Sequence, residues 1–182
     1  MSDMYRENLK SVGLPLPQGL YDPRFEHDSC GVNFVCNLRG VASHEIVQMG
    51  IGALCTLQHR GAIGAEKNTG DGAGILMQVP DKLYRDTLSF DLPPKNHYAT
   101  GIAFLSEHPD KANAAVHQLE KLAEEEGLEI IGWREVPVDS SEIGTSAKEA
   151  MPFMKQIFIK AKSDSALSGL DLDRKVFPFR KR

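Results

Sequence analysis

Cys30 is the residue of this sequence best suited to chemistry. A cysteine becomes a useful nucleophile when a base removes its thiol proton, and no histidine follows Cys30 closely in the sequence. Cleavage of the bond between Ser29 and Cys30 would leave a free α-amine, with a pKa of about 7.7–8.0, beside the thiol. One residue would then supply both nucleophile and base, as in N-terminal nucleophile enzymes. The alternative is a structural cysteine at a strand edge.

Arg60 is the second candidate, and it lies in His59-Arg60-Gly61-Ala62, one predicted strand and one predicted helix after Cys30. A guanidinium binds a carboxylate in a fork geometry, so Arg60 is suited to bind a substrate carboxylate or to position the nucleophile. The alternative is a surface arginine near a helix C-terminus, where a cation is favoured. His59 is better explained as a packing or capping residue at the helix end than as a base.

A glycine-rich segment, Thr69-Gly70-Asp71-Gly72-Ala73-Gly74, precedes an apolar run. Phosphate-binding glycine motifs follow a strand and open a helix, so the order here is wrong for nucleotide binding, and Asp71 would repel phosphate. The segment is therefore predicted to be a tight turn, in which Asp71 makes backbone hydrogen bonds that shape a pocket.

The composition is typical of one soluble globular domain, because 41% of the 182 residues are hydrophobic, 25% are charged and the net charge is −4. The lack of a long basic block argues against nucleic acid as a partner. No apolar run approaches the roughly 18 residues that cross a bilayer, which argues against a membrane protein. Residues 1–29 lack the apolar stretch of a secretory signal and are interpreted as a leader, a surface strap or a removable propeptide.

The cysteines of the sequence are Cys30, Cys36 and Cys55. An odd, sparse set without a signal peptide indicates reduced thiols in the cytoplasm. The absence of a CxxC pair argues against a zinc site, so no metal is expected. Cys36 and Cys55 lie in apolar surroundings and are predicted to be inert core residues.

Hydrophobic periodicity predicts alternating strands and helices. The predicted strands are 31–36, 75–79, 98–105, 128–138 and 152–161, and the predicted helices are 80–88, 109–126 and one that runs from an N-cap at Ser43 to near His59. Gly50 and Gly52 in that last helix indicate close packing against a neighbour. Residues 140–150 are predicted to be a loop, and residues 173–182 a basic tail or the mark of a domain cut short. The pattern favours a layered α/β or α+β domain.

Three motifs in order resemble the start of the class II glutamine amidotransferase domain of the glutamate synthase large subunit. They are Asp28-Ser29-Cys30-Gly31-Val32, Leu57-Gln58-His59-Arg60-Gly61-Ala62 and Thr69-Gly70-Asp71-Gly72-Ala73-Gly74-Ile75-Leu76. Each motif alone is weak, and their order and compatible spacing together form a strong signal. The resemblance implies an α+β fold, the four-layer αββα sandwich of N-terminal nucleophile hydrolases.

The resemblance also implies roles for individual residues. Residues 1–29 would be a propeptide, removed to expose Cys30 as the nucleophile that attacks the side-chain amide of glutamine. The freed α-amine would be the base, and Arg60 would match the active-site arginine of the family. Gly61 and Asp71 are expected to contribute to substrate binding. Thiolate attack would form a γ-glutamyl thioester and release ammonia, and water would then release glutamate.

The same resemblance implies partners for this chain. In the full family enzyme, ammonia passes to a second domain that aminates 2-oxoglutarate with reducing equivalents from FMN and an iron-sulfur cluster. This chain is expected to hold no cofactor itself, and its expected partners are glutamine, the remaining glutamate synthase domains and a small subunit. The sequence contains no Asn-Gly dipeptide, the pair that forms the oxyanion hole in the family. Residues 30–182 are therefore expected to be the N-terminal part of the domain, incomplete and weakly active alone.

Two other interpretations remain open on the residues. One is an N-terminal nucleophile amidohydrolase that acts on a different amide, with the same Cys30. The other is a truncated binding or assembly module without catalysis.

Overall fold

The computed structural model describes residues 16–20, 22, 31–57, 66, 68–70, 72–162 and 167–182. The chain divides into two compact units. The first unit comprises Met1–Met77 and Glu142–Ala147, and the second comprises Gln78–Ser141 and Lys148–Arg182.

The described residues contain helices and antiparallel strands. In chain order the elements are α1 (His44–Thr56), α2 (Asp81–Thr87), β1 (Ala99–Leu105), α3 (Pro109–Glu125), β2 (Leu128–Glu135), α4 (Thr145–Glu149), β3 (Phe153–Ala161) and α5 (Gly169–Lys181). This mixture of helices and an antiparallel sheet agrees with the predicted α+β class. None of the helices in the described part of the chain is long and apolar enough to cross a membrane.

The sheet of the second unit has β3 at its centre. Its strand order is β1-β3-β2, and both neighbours pair antiparallel to β3. Ile157 of β3 is opposite Gly101 of β1 and opposite Trp133 of β2. Because successive side chains of a strand point to opposite faces, Ile157 and Phe158 contribute to different cores on the two sides of the sheet.

One face of the sheet is covered by α3 and α5. Ile157 and Ile159 of β3 cluster there with Ala123 of α3 and Phe179 of α5. The partly buried Leu119 and Leu122 of α3 pack against the same cluster, and the predicted helix 109–126 is confirmed as α3. Burial of this apolar surface is the main favourable contribution to the stability of the unit.

The other face of the sheet packs in an aromatic cluster around Phe158, whose side chain is 0% exposed. The rings of Tyr84 and Phe90 meet the Phe158 ring edge-on, at centroid distances of 5.1 and 5.6 Å. Such edge-to-face pairs add to the free energy gained by burial. The buried amide of Gln156 donates from Nε2 to the Tyr84 hydroxyl at 2.8 Å, so this polar group is satisfied inside the cluster.

The first residue of helix α2 makes a polar contact with Tyr98, the residue directly before β1. Asp81 accepts a hydrogen bond from the Tyr98 hydroxyl at 2.9 Å and pairs with Arg85 at 2.9 Å. The hydrogen bond from Arg85 lowers the pKa of Asp81 below its ordinary value. Burial, together with Asp81, raises the pKa of Tyr98, so this phenol stays protonated as a donor.

Two predicted strands are wrong. Residues 31–36 and 75–79 do not belong to any strand and are largely exposed. Their apolar, β-branched composition is typical of strands, but a strand exists only through hydrogen bonds to a neighbouring strand. Neither segment forms such a ladder within the described residues.

Three further predictions need correction. Cys36 and Cys55 are exposed thiols and not core residues, because the strand and the helix face expected to cover them are not buried. The predicted loop 140–150 contains the short helix α4. Residues 169–181 form α5, so of the two alternatives for residues 173–182 the basic tail is wrong. The helical spacing of Leu172, Val176 and Phe179 is present in the sequence, but Pro178 and the cations obscured it.

The core position of Phe158 leads to a stability prediction. Replacement of Phe158 by Ala removes a ring that three aromatic side chains contact, so we expect the free energy of unfolding to fall by about 3–5 kcal/mol. Phe104→Ala is the matched control, because Phe104 lies in the same sheet but is 69% exposed. Urea denaturation followed by circular dichroism measures both. Equal losses in the two variants would contradict the assignment of this core.

Candidate active site

The residues predicted to do chemistry lie outside the described part of the structure. These are Cys30, Arg60, Gly61 and Asp71, with His59 beside them. The structure describes the segments that adjoin them in the chain, namely 31–57, 66, 68–70 and 72–77. These flanking segments contact one another within the first unit.

The residue after Cys30 lies against the end of helix α1. A Cβ atom added to Gly31 would be 2.9 Å from Cδ2 of Leu57, which is closer than a real contact allows. The Leu57 side chain therefore packs directly on the Gly31 backbone, an approach that glycine permits. Leu57 precedes Arg60 by three residues. The chain next to Cys30 and the chain leading to Arg60 thus meet at one end of α1.

A hydrogen bond extends this contact along the helix. The side-chain amide of Asn33 donates from Nδ2 to the carbonyl oxygen of Ala53 at 3.2 Å. Gly31 contacts Leu57, and Asn33 contacts Ala53, four residues earlier along the helix. Residues 31–33 therefore run antiparallel to the last turn of α1.

Helix α1 also supports the segment that follows Asp71. A Cβ atom added to Gly50 would be 2.9 Å from Cδ1 of Ile75, so the Ile75 side chain lies on the helix backbone at Gly50. The predicted close packing at Gly50 is confirmed. The same prediction for Gly52 is wrong, because no described atom lies within 4 Å of a Cβ built there.

The segment that precedes Asp71 is held by the carboxylate of Glu66, which no sequence motif indicates. Glu66 accepts a hydrogen bond from the Thr69 hydroxyl at 2.9 Å and another from the Ser146 hydroxyl at 2.8 Å. The backbone N–H of Ser146 donates to the same Glu66 oxygen at 3.1 Å. Ser146 is 80 residues away in the sequence, and no local pattern pairs it with Glu66.

These hydrogen bonds change the acidity of Glu66. The Ser146 hydroxyl contributes most, followed by the Thr69 hydroxyl and the Ser146 backbone, and together they lower the pKa of Glu66 below its ordinary value. Hydrogen bonds to the charged form of a carboxyl group favour that form. Glu66 is therefore an ionised acceptor at neutral pH.

Metal chemistry finds no support in the described ranges. They contain no group of three or more His, Cys, Asp or Glu side chains placed to hold a metal ion. The whole chain has three cysteines, one fewer than the Cys₄ ligand set of the common iron-sulfur clusters. These residues do not fit such a cluster.

Comparison with known proteins gives the family. Residues 30–182 match the model of the class-II glutamine amidotransferases, and the match begins at Cys30. The chain belongs to this family. Its similarity to the glutamate synthase [NADPH] large chain of Bacillus subtilis is 42% identity over 93% of this chain. Similarity to the glutamate synthase [NADH] of Schizosaccharomyces pombe is 38% over 93% of this chain, and to ferredoxin-dependent glutamate synthase 2 of Synechocystis it is 35% over 84%.

These relatives are much longer than the amidotransferase chain described above. The match covers 11% of the Bacillus protein, 8% of the Schizosaccharomyces protein and 10% of the Synechocystis protein. The chain therefore spans about a tenth of the length of these glutamate synthases. The similarity concerns this amidotransferase part alone.

The packing on α1 predicts different outcomes for its two glycines. Gly52→Ala should stabilise α1 by about 0.5–1 kcal/mol, because Ala has the higher helix propensity and the added methyl meets no described atom. Gly50→Ala should stabilise α1 less, because the added methyl group must displace the Ile75 side chain. Amide hydrogen exchange of α1 measures the difference. The double variant Gly50→Ala, Ile75→Ala should recover the helix gain, and equal gains in both single variants would contradict the Ile75 contact.

The pKa of Glu66 predicts a pH dependence. Because its folded-state pKa is lowered, the contribution of Glu66 to stability is present above the ordinary glutamate pKa and is lost as the pH falls through the lowered value. The amide proton shift of Ser146, followed by NMR in an acid titration, should therefore inflect below the ordinary glutamate range. Glu66→Gln should abolish this inflection, and an inflection that survives in Glu66→Gln would show that another group causes it.

Proposed function

We propose that this chain forms the glutaminase part of a glutamate synthase. It would release ammonia from the side-chain amide of glutamine, for use in forming glutamate from 2-oxoglutarate elsewhere in the enzyme. The observation that carries this proposal is the family match, which starts at Cys30 and extends to residue 182. The identities of 35–42% to glutamate synthases support the same conclusion.

Cys30 is the proposed nucleophile. Removal of residues 1–29 frees its α-amine, which takes the thiol proton as the sulfur attacks the amide carbon. The carbon–nitrogen bond breaks, the amine returns the proton to the leaving nitrogen, and ammonia departs. Water then attacks the γ-glutamyl thioester, so glutamate is released and the thiol is restored. The start of the family match at residue 30 supports a boundary at Ser29.

Arg60, Gly61 and Asp71 are the proposed substrate-binding residues. The guanidinium of Arg60 is suited to the α-carboxylate of glutamine or to orienting the nucleophile. Asp71 lies in a glycine-rich turn, where its carboxylate can order backbone N–H groups around the substrate. Support comes from the contacts of Gly31 with Leu57 and of Gly50 with Ile75, which connect the segments flanking these motifs to α1.

The larger setting of the chain belongs to the same proposal. The fold is proposed to be the four-layer αββα sandwich of N-terminal nucleophile hydrolases. The FMN and the iron-sulfur cluster of a glutamate synthase are assigned to other parts of that enzyme, because the donor set of this chain does not fit a cluster. The remaining synthase domains and a small subunit are the proposed partners, and the cytoplasm is the proposed compartment.

A labelling experiment tests this function. A glutamine analogue with an electrophilic carbon at the side-chain position should alkylate Cys30 stoichiometrically and abolish release of ammonia from glutamine. Cys30→Ala should lose both labelling and glutaminase activity down to the background without protein, because the nucleophile is gone. Peptide mass spectrometry locates the label, and intact mass reports whether residues 1–29 are absent from the labelled protein.

The other two cysteines provide the controls. Cys36→Ala and Cys55→Ala remove exposed thiols and should leave labelling and glutaminase activity unchanged. Labelling that follows Cys36 or Cys55 would overturn the assignment of Cys30. A labelled, active protein that retains residues 1–29 would overturn the propeptide proposal. Asparagine turnover as fast as glutamine turnover would favour an amidohydrolase of different specificity.

A further inference from the structure

The loop 66–70 lies in the sequence between the two proposed substrate-binding motifs. Glu66 follows Arg60 by six residues and precedes Asp71 by five. The residues after the loop include Gly72 and Gly74, which add little stiffness to the backbone. The orientation of the turn predicted at Asp71 is therefore expected to depend on how the residues on its two sides are held.

The residues after Asp71 are held by apolar packing, and the residues before it are held by polar contacts. On the far side, the Ile75 side chain lies on Gly50 of α1. On the near side, Thr69 donates to Glu66 twice, from its hydroxyl to the carboxylate and from its backbone N–H to the carbonyl oxygen at 3.1 Å. Glu66 thus folds the chain back on itself directly before residues 70 and 71.

The segment 142–147 fixes Glu66 in turn. Ser146 donates to the Glu66 carboxylate from its hydroxyl and from its backbone N–H. The backbone N–H of Gly144 donates to the carbonyl oxygen of Asn68 at 3.2 Å. A Cβ atom on Gly144 would collide with the Glu66 carboxylate and the Thr69 hydroxyl, so the two segments meet without spare room.

We propose that Glu66 is a positioning residue of the glutaminase site, which orients the turn at Asp71 for glutamine binding. Its carboxylate gathers donors from Thr69 and from Ser146, and it acts through the turn without touching the substrate. This inference rests on the proposed function and adds to it a residue outside the recognised motifs.

The inference predicts which kinetic constant changes. Residues 31–33 beside Cys30 are held on α1 by Leu57 and by the carbonyl oxygen of Ala53, independently of Glu66. Loss of the Glu66 carboxylate should therefore disturb the binding of glutamine and leave the nucleophile in place. An interaction used for substrate binding and equally in the transition state affects KM and not kcat.

Steady-state glutaminase kinetics test this prediction. Glu66→Ala should raise KM for glutamine about tenfold, a factor typical of losing hydrogen bonds to a charged group, with kcat within about threefold of the unsubstituted protein. Glu66→Gln retains one oxygen acceptor for the Ser146 N–H and should give an intermediate KM. Ser146→Ala removes a single hydroxyl donor and should raise KM less than Glu66→Ala. Glu142→Ala changes an exposed carboxylate of the same 142–147 segment and should leave both constants unchanged.

A double variant separates positioning from general stability. In an Asp71→Ala background, Glu66→Ala should raise KM little further, because the residue that it orients is already gone. A loss of kcat that follows the folded fraction, with KM unchanged, would show a purely structural role and overturn the inference. Unchanged kinetics in Glu66→Ala and Ser146→Ala would do the same.

The outcome for Cys30 distinguishes the two proposals. If Cys30→Ala abolishes glutaminase activity while Glu66→Ala leaves KM unaltered, this inference fails and the proposed function stands. If the unsubstituted protein has no glutaminase activity that depends on Cys30, the proposed function fails and takes this inference with it.

Discussion

Packing of the Leu57 side chain on the Gly31 backbone is the contact on which the candidate site depends. It places the residue after Cys30 at the same end of α1 as the chain that leads to Arg60. The hydrogen bond from Asn33 to Ala53 aligns the two segments over a full helical turn. Glycine at position 31 permits this approach, since a Cβ atom there would force the Leu57 side chain to shift. The residue directly after Cys30 and the residue three positions before Arg60 are thereby in contact.

Different kinds of interaction stabilise the interior of each of the two units. In the second unit, the sheet separates an aliphatic cluster around Ile157 and Ile159 from an aromatic cluster around Phe158. In the first unit, α1 has no buried residue among those described. Separately from α1, the Glu66 carboxylate accepts hydrogen bonds from Thr69 and Ser146. Hydrogen bonds to a carboxylate of this kind hold a loop in a defined orientation. A single substitution can disrupt them, since no large apolar core surrounds them.

Much of the local structure could be predicted from the sequence. The helices near 81–87 and 109–125 and the three strands of the sheet follow from their hydrophobic periods and turn residues. Residues 31–36 and 75–79 have equally good strand composition, but strand formation needs a neighbour that a local window does not contain. Cys36 and Cys55 were mispredicted for the same reason, because burial depends on what packs above a residue. Glu66 could not be found, because its partner Ser146 is 80 residues distant.

By itself the sequence determined the order and spacing of the Cys30, Arg60 and Asp71 motifs, and with them the class-II glutamine amidotransferase family. These features are local, because each motif can be recognised from a few consecutive residues. The tertiary structure alone decided that α1 supports the segments flanking these motifs, and that Glu66 and Ser146 brace the turn before Asp71. Contacts between distant segments depend on the path of the whole chain. Each such contact costs chain entropy, and this cost is offset only when many contacts form together.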